Sequence, residues 1–160
     1  MRLRRLLSRK AYTIAELLIV IAIVGILAAV TLPRYGQIRD QGQISGATTR
    51  FTRAVMAARQ ASIQRGKPAY FKTNNSSIWV TLDTTGNNTD SVVITSALSL
   101  QTAYGVEVTT PTGLISIAYD PRGVSTQASK QVFHFKHTGS GRRDSLCISR
   151  LGNTIREKCP

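Results

Sequence analysis

The C-terminal quarter of the chain concentrates side chains that could bind an anion. Residues 122–160 carry eight basic and two acidic side chains, a net +6 within a chain of 160 residues and formal net charge +13. Guanidinium and ammonium groups contact phosphates regardless of base sequence, so this asymmetry predicts a polyanionic partner. No aromatic residue is interleaved between positions 142 and 158, which favours the backbone of a duplex over stacked single strands. The candidate contacts are Lys136, Arg142, Arg143, Arg150, Arg156 and Lys158. A solubilising surface is the alternative.

Two cysteines near the C-terminus could be linked covalently. Cys147 and Cys159 have eleven residues between them. In an oxidising compartment such a pair forms a disulfide, and closing the loop would stabilise the fold by about 3 kcal/mol in the chain-entropy model. A metal site would also need His134 or His137, and no metal-ligand spacing connects them to the thiols. The sequence therefore predicts a Cys147–Cys159 disulfide and no bound metal.

Residue types that could support catalysis occur without the motifs that catalysis requires. Asp120, His134 and Ser145 could be arranged into a hydrolytic triad, but no nucleophile elbow or oxyanion motif accompanies them. No glycine-rich phosphate loop opens a helix, and no cofactor fingerprint occurs. We therefore expect a protein that is not an enzyme and that binds no cofactor.

The elements that position these residues begin with a long apolar segment. Residues 17–32 contain no charged side chain and consist mainly of Leu, Ile, Val and Ala. A basic flank precedes the segment and would hold the N-terminus on the cytoplasmic side of a membrane. It consists of Arg2, Arg4, Arg5, Arg9 and Lys10. A signal peptide cut near Ala28 and Ala29 is the alternative, but helical patterning continues beyond that point and favours a retained helix.

The helical pattern continues as an amphipathic stretch. Apolar residues recur at spacings of three and four, with Arg53 on the opposite face. They are Ile44, Ala47, Phe51, Ala54, Val55 and Ala58. We predict one helix from about residue 12 to about residue 65, roughly 80 Å long. Pro33 and the glycines around it predict a kink or a melted turn near the middle, and Gly66 and Pro68 end the helix.

From Pro68 onward the hydrophobic period changes to two, which is typical of β-strands. The predicted strands cover 69–72, 78–83, 92–95, 105–109, 114–119, 131–137, 146–150 and 154–156. Their connections are too short for helical crossovers, so we expect an antiparallel sheet. Phe133 and Phe135 would face the core of this sheet. We interpret His134 and His137 as surface residues of the same strand.

The junction before the apolar helix carries the most specific motif. Residues 9–20 read RKAYTIAELLIV, so a basic stretch, a small residue, an aromatic residue and a glutamate precede an uncharged helix. This junction resembles the class III signal of type IV prepilins. The resemblance implies cleavage between Ala11, where the family usually has Gly, and Tyr12, which becomes the new and usually methylated N-terminus. A carboxylate at the edge of an apolar helix costs on the order of a few kcal/mol unless it is paired. The resemblance implies that Glu16 pairs with the N-terminal amine of a neighbouring subunit.

A second resemblance concerns the C-terminal part. The segment from Tyr119 to Val124, and later residues 147–153, are similar to the FimT/GspH group, which contains minor pilins and the corresponding pseudopilin of type II secretion. Members implicated in DNA uptake carry Gly-Arg-x-Arg near the end. Here residues 152–156 read GNTIR, so the first arginine is replaced and the second is displaced to Arg156. Arg142 and Arg143 supply adjacent guanidiniums in a glycine-rich turn.

These resemblances imply the α+β type IV pilin fold, with a long N-terminal helix packed on antiparallel strands. We expect a leader peptide over residues 1–11, a transmembrane and filament-core helix over 12–33, its amphipathic second half over 34–66, and a β domain with a C-terminal disulfide loop over 67–160. The expected location is the inner membrane, with the β domain in the periplasm, and then the extracellular filament. The expected partners are other major and minor pilins, the prepilin peptidase and duplex DNA.

The sequence leaves three functional hypotheses open. The first is a minor pilin that captures DNA during natural transformation. The second is a structural minor pilin that primes assembly at the filament tip, and the third is the type II secretion pseudopilin. Basic charge concentrated near the C-terminus favours the first hypothesis over the third.

Overall fold

The structure is a computed structural model that describes residues 12–85 and 91–156. Its first element, α1, spans Ile14–Arg65, and every residue between these bounds is helical. The predicted helix is confirmed, whereas the predicted melted turn is wrong. Because an isolated Pro or Gly weakens a helix without necessarily ending it, Pro33 and its neighbouring glycines are accommodated within α1. The chain divides into two compact units, and the division lies between Ile38 and Arg39.

In the first unit, the described part of α1 is apolar on all sides. Its large apolar side chains from Ile14 to Ile38 are all exposed. One 18-residue window of α1 has a mean hydropathy of 2.7, so the helix is long and apolar enough to cross a bilayer. A helix that is hydrophobic all round is suited to lipid or to a bundle of other helices.

The described part of the second unit contains eight strands in two antiparallel sheets. In chain order they are β1 (Ala69–Asn74), β2 (Ser77–Asp83), β3 (Ser91–Ser99), β4 (Val106–Thr110), β5 (Leu114–Tyr119), β6 (Gln131–His137), β7 (Arg143–Ile148) and β8 (Thr154–Arg156). Sheet A has the strand order β3-β2-β1-β5, and sheet B has the order β4-β6-β7-β8. All eight predicted strands are present and pair antiparallel as expected. They form two sheets, so the expectation of a single sheet is wrong.

A short helix that was not predicted helps to divide the strands. Helix α2 spans Leu100–Tyr104 between β3 in sheet A and β4 in sheet B. The Ser99 side chain accepts a hydrogen bond from the Thr102 N–H at 3.2 Å, and Gly105 ends the helix in the left-handed conformation. Capping at both ends stabilises a turn of helix that hydrophobic periodicity alone cannot reveal.

The core lies where α1 packs against both sheets. The predicted buried face of α1 is confirmed, because all six of its apolar residues from Ile44 to Ala58 are at most 7% exposed. Phe51 is at the centre, with its ring centroid 4.8 Å from that of Phe71 in sheet A and 4.8 Å from that of Phe133 in sheet B. Aromatic rings at these separations contribute roughly 0.5–1.5 kcal/mol each beyond burial of their area.

The interpretation of His137 as a surface residue is wrong. Its side chain is only 8% exposed, and its Nε2 lies 2.7 Å from Gln43 Oε1 on α1. His137 has the same strand parity as Phe133 and Phe135, so it points towards α1 with them. His134, of the opposite parity, is exposed as expected.

Candidate functional site

Two basic residues of the predicted set lie opposite each other on neighbouring strands of sheet B. In the antiparallel register of β6 and β7, Lys136 is directly opposite Arg143. Phe135, which precedes Lys136, is buried in the core, whereas Lys136 itself is half-buried and Arg143 is exposed. Side chains opposite each other in such a pair have Cβ atoms about 4.5–5.5 Å apart. The fold therefore brings together two cations that are seven residues apart in the sequence.

The turn between β6 and β7 adds a third cation to this pair. It is closed by hydrogen bonds from the His137 N–H to the Arg142 carbonyl at 2.8 Å and from the Gly141 N–H to the His137 carbonyl at 2.9 Å. Gly141 has φ +68°, a conformation that favours glycine. The Arg142 guanidinium donates to Gln41 Oε1 at 2.8 Å. Arg142 is therefore held beside α1 and next to Arg143.

Arg156 lies on the neighbouring strand β8, and its charge is partly compensated. Its guanidinium donates to Ser45 Oγ at 3.0 Å and pairs with Asp144 Oδ2 at 3.3 Å. A cavity of about 460 Å³ lies between α1 and these arginines. Its lining consists of Gln41, Ile44, Ser45, Arg142, Arg143, Asp144 and Arg156. We call Lys136, Arg142, Arg143 and Arg156 the basic edge.

Arg150 does not belong to the basic edge. It lies in the turn between β7 and β8, which is closed by the Gly152 N–H donating to the Ser149 carbonyl at 2.9 Å. Arg143 is the first of the six residues of β7, so the far end of the strand, where this turn begins, is roughly 17 Å away at 3.3 Å per residue. In the same turn, Asn153 Oδ1 accepts from the Arg59 guanidinium of α1 at 2.9 Å. The sequence grouped Arg150 with Arg142 and Arg143, and the strand places it at the other end.

Several residues of the predicted sites lie near or outside the ends of the described ranges. Ala11, Lys158 and Cys159 are outside the described residues, so the cleavage site and the Cys147–Cys159 disulfide stay predictions. Cys147 lies on β7 and is 2% exposed. Tyr12 and Glu16 are exposed, and Thr13 Oγ1 accepts from the Glu16 N–H at 3.2 Å. That bond caps the first turn of α1 with a threonine.

Of the three residues considered for catalysis, two lie opposite each other and the third has partners in a different turn. His134 and Ser145 are directly opposite each other in β6 and β7. Asp120, however, lies in a turn after β5 in which its carboxylate accepts from the Val124 N–H at 2.8 Å and pairs with Arg122 at 3.1 Å. The hydrogen bond from Val124, together with Arg122, lowers the pKa of Asp120. In the described ranges, no three His, Cys, Asp or Glu side chains converge on a point that could hold a metal ion.

Comparison with known proteins assigns the family. The family described as type II transport protein GspH matches residues 47–152, about two thirds of the chain. The chain belongs to the GspH family.

Pilins are also among the relatives of this GspH-family chain. It is 37% identical over 60 residues to a fimbrial protein of Pseudomonas aeruginosa, an alignment that covers 38% of each chain. It is 30% identical over 119 residues to the type IV major pilin protein PilE1 of Neisseria gonorrhoeae, covering 74% of this chain and 57% of that protein. The alignments therefore span less than two thirds of these relatives.

The fold matches that of a solved minor pilin. The crystal structure of the type IV minor pilin FimU of Pseudomonas aeruginosa superposes with a TM-score of 0.57 at 10% identity, covering 76% of this chain and 92% of that one. A second crystal form of FimU gives a TM-score of 0.52. The family and the fold together confirm the predicted resemblance to type IV minor pilins and pseudopilins. The apolar first half of α1 is consistent with membrane anchoring and with a place in a pilus.

Proposed function

We propose that this GspH-family chain is a minor pilin that binds duplex DNA through its phosphates during DNA uptake. The principal contacts are Lys136, Arg142 and Arg143, with Arg156 beside them and Arg150 as a separate contact. Lys158, which lies outside the described residues, is a further proposed contact. The observation that carries the proposal is the like-charge pair of Lys136 and Arg143 in neighbouring strands. Like charges directly opposite each other destabilise a sheet, so a bound phosphate would relieve their repulsion.

The charges around this pair support an external anion. Within residues 12–85 and 91–156, neither Lys136 nor Arg143 forms an ion pair. Glu107 is directly opposite Lys136 on β4, but its carboxylate accepts a hydrogen bond from the Gln101 side chain at 2.9 Å. The hydrogen bond from Arg142 to Gln41 does not compensate the charge of the guanidinium, since the Gln41 side chain is neutral. Arginine and lysine that contact phosphates release counterions from DNA, which gives affinity without sequence preference. A protein that imports DNA of any sequence requires this kind of recognition.

The proposal includes how the chain reaches its site of action. The prepilin peptidase removes residues 1–11 at the cytoplasmic face, and residues 12–33 anchor the chain in the inner membrane with the strands in the periplasm. Glu16 then pairs with the N-terminal amine of a neighbouring subunit as the helices bundle into the filament. The support is the junction motif together with an exposed carboxylate in the first turn of an apolar helix.

Fluorescence anisotropy with labelled duplex DNA tests the proposal on the full chain in detergent. We expect affinity in the micromolar range or weaker at physiological salt, as for non-specific binders. Three to five phosphate contacts predict a slope of log affinity against log salt of roughly −3 to −4. Lys136→Ala with Arg143→Ala should weaken binding and make the slope less steep by about 0.9 for each phosphate that the variant no longer neutralises.

A matched control removes two charges from another surface. Arg50→Ala with Arg53→Ala takes the same charge from an exposed part of α1 and should leave affinity and slope close to those of the wild type. Equal weakening by both pairs would mean that only net charge matters and that the basic edge is not a site. No binding even at low salt would leave the assembly-priming minor pilin or the secretion pseudopilin as the function.

A further inference from the structure

A groove separate from the basic edge runs between α1 and the border of sheet A. It consists of two adjoining cavities of about 350 and 250 Å³, and Arg50 and Arg53 line both. Below the two arginines, the smaller cavity is lined mainly by apolar residues, with one polar residue, Thr95, among them. They are Ala54, Ala57, Ile78, Thr95 and Leu98. We call this surface the α1–β3 groove.

The local sequence explains why a groove forms here. Ala54 and Ala57 are small, so α1 leaves space above β2 and β3 where a larger side chain would fill it. At the other end, the Tyr104 ring of α2 lies against the backbone of Gly46, where a Cβ would come within 2.9 Å of the ring. Gly46 therefore allows Tyr104 to close that end of the groove.

The rim of the groove carries positive charge that lacks a counterion. Arg50 and Arg53 are exposed one turn apart on α1. In the described part of the chain, the ion pairs are Arg122 with Asp120 and Arg156 with Asp144, and neither involves the groove. Two guanidiniums above a mainly apolar floor are suited to a segment that carries both carboxylates and apolar side chains.

A second copy of this chain is poorly suited to supply those carboxylates. Of the five acidic residues described between positions 39 and 156, four already accept hydrogen bonds within the chain. Asp83 accepts from the Thr85 N–H at 2.9 Å and Glu107 from the Gln101 side chain at 2.9 Å. Asp120 and Asp144 pair with arginines. Charge complementarity therefore favours a different chain that is more acidic than this one.

The strand beside the groove favours a protein partner over nucleic acid. β3 is the edge strand of sheet A, and its residues Val92, Val93 and Ile94 are 55%, 58% and 43% exposed. Consecutive apolar residues exposed on both faces of an edge strand are a site for contact with another protein. Phosphates gain nothing from covering valine and isoleucine side chains.

We infer that the α1–β3 groove is the docking surface for an acidic segment of a different filament subunit. The carboxylates of that segment pair with Arg50 and Arg53, while its apolar side chains cover the groove floor and the exposed part of β3. This contact depends on membership of the pilin family and is independent of DNA binding at the basic edge.

Site-specific photo-crosslinking of the full chain in cells that assemble filaments tests the inference. The photoreactive residue p-benzoylphenylalanine replaces Ala97, which is exposed on β3 next to Leu98. Mass spectrometry of the crosslinked peptide should identify a segment of another pilin with at least two acidic residues. Arg50→Glu with Arg53→Glu should reduce the crosslink at least fivefold, and exchanging the partner's acidic residues for arginine should restore it.

Two further variants make the outcome decisive. Arg50→Gln with Arg53→Gln removes the charge conservatively and should also reduce the crosslink at an unchanged level of protein in the membrane. Arg142→Glu with Arg143→Glu reverses as much charge at the basic edge and should leave the crosslink unchanged. The inference is overturned by crosslinks to copies of this chain, to DNA, to a peptide without acidic residues or to nothing. It is equally overturned if reversal at Arg50 and Arg53 has no effect.

Discussion

The Tyr119 hydroxyl donates a hydrogen bond to the Gly152 carbonyl oxygen at 3.2 Å. Tyr119 is fully buried at the end of β5 in sheet A, whereas Gly152 lies in the turn after β7 in sheet B. The bond therefore connects the two sheets and fixes the turn that carries Arg150. Gly152 has φ +82°, and the Tyr119 ring occupies the space that a Cβ at this position would need.

Gly152→Ala should destabilise the second unit strongly. Alanine would be strained at this φ and would also collide with the buried Tyr119 ring, and overpacking of a core typically costs about 1–3 kcal/mol. The matched control is Gly141→Ala, which has φ +68° but no heavy atom within 4 Å of the added Cβ. In thermal denaturation followed by circular dichroism, Gly152→Ala should lose about 1–3 kcal/mol more than the control. Equal losses would mean that contact with Tyr119 does not matter.

The stability of this unit should fall steeply at alkaline pH because of Tyr119. Burial raises the pKa of its hydroxyl from 10.0 to about 12. The folded state therefore holds the proton more tightly than the unfolded state does, and the resulting stabilisation is complete below pH 10 and is lost as the pH rises through 12. Chemical denaturation between pH 9 and 12 should show this fall in the wild type. Tyr119→Phe should be less stable at pH 8 and show a smaller fall, and parallel curves would contradict this origin.

Most of the fold could be predicted from hydrophobic periodicity, because the spacing of apolar residues determines which face of a helix or strand is buried. The helical spacing around Phe51 identified the face of α1 that contacts both sheets, and all eight strands were located. The ends of the strands were less accurate. We predicted β3 over 92–95, but it extends over Ser91–Ser99, since an edge strand exposed on both faces has no alternation to read. β7 begins at Arg143 rather than at position 146, because its first residues, Arg143, Asp144 and Ser145, are polar and show no apolar alternation.

The residue types of the basic edge were predictable, whereas their grouping was not. The pairing of Lys136 with Arg143 depends on the register that the β6–β7 turn imposes, and that register follows from its hydrogen bonds rather than from composition. The same register separates Arg150 from them along β7. The burial of His137 could have been found, because it continues the alternation of Phe133 and Phe135. Its contact with Gln43 on α1 depends on tertiary packing that local patterns do not encode.

We expect the mature protein to begin at Tyr12. The junction of a small residue, an aromatic residue and a glutamate before an apolar helix is the basis, and Thr13 caps the helix that would remain. Intact-mass spectrometry of the protein isolated from membranes or from sheared filaments measures the N-terminus. A mature chain that starts near residue 30 would instead show an ordinary signal peptide, and the retained helix would be wrong.

Glu16→Ala should leave the chain folded in the membrane but poorly incorporated into filaments. In a lone helix the exposed carboxylate contributes little to stability. In a bundle of apolar helices, the charged amine of the neighbouring subunit would lack a counterion without Glu16, which costs free energy in an apolar environment. Glu16→Gln keeps the size of the side chain and removes its charge, so it should be as defective as the alanine variant. Immunoblots of sheared filaments against membrane fractions give the incorporated share. Normal incorporation of the glutamine variant would show that charge pairing is not the role of Glu16.

The two ends of β7 should contribute to DNA binding in different ways. Arg143 and Arg150 are separated by the length of the strand, so Arg143→Ala and Arg150→Ala should reduce the free energy of binding additively, within about 0.5 kcal/mol. Lys136 is directly opposite Arg143, so both can contact one phosphate.

Lys136→Ala and Arg143→Ala should therefore be non-additive, with a coupling energy of at least about 0.5 kcal/mol. Anisotropy titrations of the three single and two double variants at constant salt give both cycles. If Arg150 couples to Arg143 as strongly as Lys136 does, one phosphate cannot account for the coupling, because the length of β7, roughly 17 Å, separates Arg143 from the turn that contains Arg150. DNA would then be attracted by the summed positive charge of the surface rather than bound at the pair of Lys136 and Arg143.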